Sequence, residues 1–208
     1  MSSITNFEIQ GRRALKVIVF VDGEPWVTLD AETVVRLNLR RGEALTPARR
    51  ERILLTDETV RARKAAARHA ATQPKTRREL ERCLISRGFS EAARTAALAE
   101  LESSGTIDDP SVAGRIVRSR RRKKNIGPLR LKAELSQRGV DPQELRRQVD
   151  AAFEGVDLLS ECLELIDKIR AKFEPLSDPK QKARLVGNLM RRGYDGEVVR
   201  EAIERKSE

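Results

Sequence analysis

A single histidine (His69), two cysteines (Cys83 and Cys162) and one adjacent acid pair (Asp108-Asp109) are the residues of this 208-residue chain best suited to act as general base, nucleophile or metal ligand. Their surroundings argue against each role. His69 lies in the alanine-rich stretch 65–71, and no serine or cysteine can be placed beside it from the sequence, so it reads as a helix residue rather than a catalytic base. Metal sites need clustered ligands, and neither cysteine has a CxxC partner or a companion histidine, so both read as reduced thiols of a cytoplasmic protein. Adjacent residues on a helix do not face one another, so Asp108 and Asp109 cannot share a proton as a catalytic pair. Asp109, just before Pro110, reads instead as a helix N-cap. No GxxxxGK[ST] loop is present, nor a GxGxxG after a strand. The expectation is a protein that is not an enzyme and holds no metal or cofactor.

Charge offers a different chemistry. The chain carries a net charge of +10, distributed unevenly. Residues 110–140 hold ten basic side chains against the single acid Glu134, whereas residues 141–208 hold more acids than bases. Arg115, Arg118, Arg120, Arg121, Arg122, Lys123, Lys124, Arg130 and Lys132 form the concentrated part. A solvated helical face normally interleaves both signs; a patch of one sign is an electrostatic footprint for a polyanion or an acidic protein surface. With one Trp, one Tyr and five Phe, stacking platforms for single-stranded bases are scarce. The helices expected to act as readers carry no consistent Asn, Gln or Arg at their starts, so nucleic-acid contact, single- or double-stranded, is expected at the backbone and indifferent to sequence.

The elements that must position these residues announce themselves by repetition. Leu80-x3-Leu84-x2-Arg87-Gly88-Phe89-Ser90 recurs as Leu131-x3-Leu135-x2-Arg138-Gly139-Val140-Asp141 and as Leu185-x3-Leu189-x2-Arg192-Gly193-Tyr194-Asp195. Two leucines four apart mark a buried helix face; the glycine ends that helix in the left-handed conformation; Ser or Asp then caps the next one. Such periodic self-similarity is the mark of a helical repeat array. The expected fold is mainly α: tandem three-helix modules at 57–105, 106–155 and 156–208, forming an elongated, curved array. An extension at 1–56 precedes them, containing a β-hairpin around Asp22-Gly23, a third strand over Ile4–Ile9, and short helices from Asp30 to Leu37 and from Pro47 to about Leu55. A separate helix capped by Asp57 then opens the first module, and the stripe Leu159, Cys162, Leu163, Ile166, Ile169 and Phe173 marks the buried face of the third. No run approaches the length of a membrane span, and export is not expected.

The stretch Gly105-Thr106-Ile107-Asp108-Asp109, Val112-Ala113, Val117-Arg118-Ser119-Arg120 and Gly127-Pro128-x-Arg130-Leu131-x2-Glu134-Leu135-x2-Arg138-Gly139-Val140 resembles the central signature of RecX regulatory proteins. The copies at Leu80–Phe89 and Leu185–Tyr194 are similar to that family's flanking repeats. Val112 stands where the family commonly has a large aromatic, and Asn125 where it commonly has glycine. The resemblance implies a monomeric helical-repeat protein that binds the RecA filament and damps its ATP hydrolysis and strand exchange, with some members also binding DNA. The alternative from charge alone is a DNA-backbone-binding protein acting independently of RecA.

Overall fold

The computed structural model describes residues 2–11, 15–122 and 125–207, and divides into two compact units, Met1–Ile107 and Asp108–Glu208. The first begins with an antiparallel meander of β1 (Ile4–Gln10), β2 (Lys16–Val21) and β3 (Glu24–Asp30), in that order across the sheet. Asp22 and Gly23 between β2 and β3 both have positive φ (52° and 92°), as a two-residue hairpin turn matching the strand twist requires. Asp30 then caps α1 (Ala31–Arg36) by accepting from the Glu32 N–H.

The helix that follows departs from the sequence expectation. Instead of two helices separated near residue 56, α2 runs unbroken over Pro47–Thr72. Asp57 is not a cap. Its carboxylate is buried in mid-helix and accepts from the Asp30 N–H (2.7 Å), the Thr33 hydroxyl (3.0 Å) and Arg61 (2.7 Å). An aspartate ahead of a helix-forming stretch resembles a helix start in sequence, but no Gly or Pro interrupts residues 55–57 to force one. The continuous helix joins two cores. Ile53 packs with Ile4, Val19, Val21 and Leu29 beneath the sheet. Ala62, Ala65 and Ala66 pack with Leu80 and Leu84 of α3 (Arg77–Ser86) and Ala97, Leu98 and Leu101 of α4 (Glu91–Ser103).

The second unit holds six helices among its described residues: α5 (Asp109–Arg121), α6 (Pro128–Arg138), α7 (Pro142–Phe153), α8 (Leu158–Ile169), α9 (Pro179–Arg191) and α10 (Gly196–Ser207). Asp108, not Asp109, caps α5, accepting from the Ser111 N–H at 2.9 Å, which places Pro110 inside the first turn. Helices α5–α7 enclose Ala113, Val117, Leu131, Leu135, Val140, Leu145 and Val149. Helices α8–α10 enclose Cys162, Leu165, Ile166, Leu185, Leu189, Tyr194 and Ile203. The buried stripe of α8 is rotated from the expected one. Leu165 is buried, Leu159, Leu163 and Ile169 are only partly so, and Phe173 reaches the core from beyond a single 3-10 turn at Arg170–Lys172.

The repeated phrase folds the same way three times. Gly88, Gly139 and Gly193 have φ of +78°, +83° and +90°. Their N–H groups donate to Ile85, Ser136 and Met190, each bond 2.9 Å long, and the following Phe89, Val140 and Tyr194 donate to Leu84, Leu135 and Leu189. Each helix thereby closes two orphan carbonyls as the chain reverses, and the apolar residue after glycine turns back toward the leucine pair.

Candidate interaction surface

Helix α5 presents its apolar face (Val112, Ala113 and Val117) to the core, which leaves Arg115, Arg118 and Arg122 at spacings of three and four along the opposite side. Arg118, Arg120 and Arg121 fall in the last turn, where the helix dipole favours cations. The nine basic residues expected to form one face do not all remain available. Arg120 lies against Glu134 of α6, with bonds of 2.8 and 2.9 Å. That pairing raises the guanidinium pKa and, despite partial burial, holds the Glu134 carboxyl below its ordinary value. Lys132 meets Asp150 of α7 at 3.0 Å. Arg121 points inward: both its terminal nitrogens donate to Glu161 of α8 at 2.9 Å, and its guanidinium stacks 4.2 Å from the centre of the Phe153 ring. The two side chains are only 16% and 11% exposed, so this arginine is a structural part of the unit.

Among the described residues, Arg115, Arg118, Arg122 and Arg130 are exposed and make no ion pair. Lys123 and Lys124 lie outside the described residues. Each of these four exposed guanidinium groups can contact phosphate oxygens or carboxylates bidentately, and Arg130 also lies near enough to Glu134 to help depress its pKa.

The surface is fixed to the rest of its unit by main chain. Gly127, which begins α6 without a side-chain cap, donates its N–H to the Arg192 carbonyl at 2.8 Å, and Leu129 donates to the Gly193 carbonyl at 3.1 Å. Two N–H groups at the helix start are thus satisfied by the turn that ends α9. The approach is close enough that a Cβ on Gly127 would lie 2.2 Å from the Gly193 oxygen, and one on Gly193 would lie 2.1 Å from the Arg130 nitrogen. Arg192 adds a bond from its side chain to the Asn125 carbonyl at 3.4 Å. Of the remaining motif arginines, Arg87 bears no ion pair among the described residues, and Arg138 lies near enough to Glu134 to help depress its pKa.

No constellation for covalent chemistry appears among the described residues. Asp108 spends its carboxylate on the Ser111 N–H, His69 lies half-buried near the end of α2, and Cys162 is buried with its pKa pushed up to about 11 by burial. No group of three His, Cys, Asp or Glu among the described residues could hold a metal ion. No described helix is long and apolar enough to cross a membrane.

Three-helix groups repeated in tandem around a shared glycine turn define a helical-repeat protein. Its family follows from comparison. Residues 108–147 match the second three-helix domain of RecX, and residues 157–203 match the third. Regulatory protein RecX of Mycolicibacterium vanbaalenii is 36% identical over 143 residues, covering 64% of this chain and 76% of that protein. The Bacillus licheniformis regulatory protein RecX is 24% identical over 204 residues, covering 98% of this chain and 77% of its own length. A crystal structure of regulatory protein RecX superposes with a TM-score of 0.76 at 17% identity, covering 98% of this chain and all of the other, and so shares its fold. The chain belongs to the RecX family of regulatory proteins.

Proposed function

We propose that this protein binds the RecA nucleoprotein filament in the cytoplasm and inhibits its ATP hydrolysis and strand exchange, acting as a monomer and without catalysing a reaction itself. The observation that carries the reading is the exposed, unpaired set Arg115, Arg118, Arg122 and Arg130, held on a rigid three-helix group in a member of a family of regulatory proteins. In this reading the three helical groups, α2–α4, α5–α7 and α8–α10, are the stations that engage successive RecA subunits, and the arginines meet acidic filament surface or DNA backbone.

The test is RecA's ATPase on single-stranded DNA, with this protein titrated well below the RecA concentration. Inhibition at that ratio is expected, and it should be lost in Arg118→Glu/Arg122→Glu, whose side chains support nothing internal. No inhibition, with DNA binding by the free protein intact, would assign it to DNA-backbone binding independent of RecA. Free binding to single strands should then weaken with log salt at a slope between about −3 and −4, the four arginines giving the lower figure and Lys123 and Lys124 the higher.

A further inference from the structure

The first unit carries a groove of about 800 Å³ between the outer edge of β3 and the flank of α2. Val27 and Thr28 line it from the strand, Leu54 and Leu55 from the helix, and Phe89 from the turn between α3 and α4. Leu54 and Leu55 are 44% and 43% exposed, so the apolar lining is open to solvent.

The backbone on this side is that of an edge strand. Among the described residues β3 pairs only with β2, and antiparallel alternation turns successive N–H and C=O groups in and out. The Ala31 N–H points inward, to the Leu15 carbonyl, whereas the Asp30 N–H points outward and is taken by Asp57. By the same alternation Thr28 turns its N–H and carbonyl outward, into the groove. An extended backbone can use donor and acceptor so placed together.

The charges lining the groove state what the extended segment must carry. Arg61 is held by Asp57, Lys64 by Asp30, and Glu58 accepts from the Ser90 N–H and hydroxyl at 2.7 and 2.6 Å. Among the described residues, the lining cations left without an ion pair are Lys16, Arg68 and Arg87, against two acids without one, Glu51 and Glu58. The surplus is positive.

We propose that this groove is a docking site for an extended segment of a partner protein that adds as a fourth strand beside β3, seating an apolar side chain on Leu54 and Leu55 and acidic side chains against Lys16, Arg68 and Arg87. The proposal rests on the filament reading above.

Full-length protein is measured for binding to RecA filaments on single-stranded DNA, in parallel with Thr28→Pro, which removes the outward donor, and with Arg68→Glu/Arg87→Glu, which leaves β3 untouched. Each variant should weaken binding at least tenfold while Trp26 fluorescence stays native, and a photo-crosslinker at Leu54 should join RecA. Wild-type binding with both folded variants binding equally well overturns the groove and leaves the filament reading intact. So does a Leu54 crosslink to DNA or to a second copy of this chain. Failure of the wild type to bind filament overturns both.

Discussion

Arg121→Met should cost the second unit about 4 kcal/mol. The substitution keeps an apolar stem of similar length and removes only the guanidinium. Glu161 would then be left 11% exposed with no compensating charge, and removing one partner of such a buried pair costs about 3 kcal/mol or somewhat more. The cation–π contact with Phe153 contributes about another 1 kcal/mol. The sequence provides its own reporters, since the single Tyr, Tyr194, is buried in the second unit and the single Trp, Trp26, lies in the first. In urea, with a slope of about 1.5 kcal/mol per molar, the transition seen by Tyr194 should fall by roughly 2–3 M while that seen by Trp26 stays put. The control is Arg121→Met/Glu161→Leu. Replacing a buried pair by apolar residues is often neutral, so this variant should return to within about 1 kcal/mol of the parent. A single variant losing under about 1 kcal/mol, or a double variant no better than the single, would refute the claim that Arg121 is structural and return it to the binding surface.

Three further outcomes follow from the same physics. Gly127→Ala and Gly193→Ala should each lose more than about 2 kcal/mol by denaturant unfolding, because the new Cβ meets backbone at 2.2 and 2.1 Å; Gly88→Ala, left-handed like Gly193 but with nothing within 4 Å, should lose only about 1 kcal/mol. Asp57→Ala should cost the first unit about 2–4 kcal/mol, read by Trp26, since the Asp30 N–H and Thr33 hydroxyl lose a charged acceptor. In alkali the second unit should weaken. Burial lifts Cys162 from 9.0 to about 11, and burial, helped by Glu161 and Cys162, lifts Tyr194 from 10.0 to about 12. Both folded values lie above the unfolded ones, so stability is full below pH about 9 and declines as pH climbs toward 11 to 12, by on the order of 2 kcal/mol per group. Thermal midpoints across that range measure it, and Cys162→Ala should shed about half of the dependence.

The helices and their turns were readable in the sequence because their signals are local. Leu-x3-Leu, Arg-Gly and the capping residue each act within one or two turns of chain, and Thr76 with Glu79 forms the reciprocal cap that its spacing predicts. Partnership was not readable. Arg121 and Glu161 are 40 residues apart, and nothing in a run of arginines says which one turns inward. A clue did exist: Glu161 stands three residues after Leu158 and four before Leu165, an acid within an apolar register, and such an acid needs a cation. Asp57 misled for the opposite reason. Its type suggested a local cap, and its role was settled by Asp30 and Thr33, more than twenty residues away.

The seam between Gly127 and Gly193 bears on how such an array can change over time. A joint made of side chains ties its geometry to their identities, and each mutation on either surface puts the fit at risk. Here part of the contact is peptide against peptide, where the only demand is that Gly127 and Gly193 acquire no Cβ, and the Arg121–Glu161 pair is the side-chain part of the same joint. Away from those few positions the surface is released to drift toward new partners, while the joint between the two helical groups is inherited unchanged.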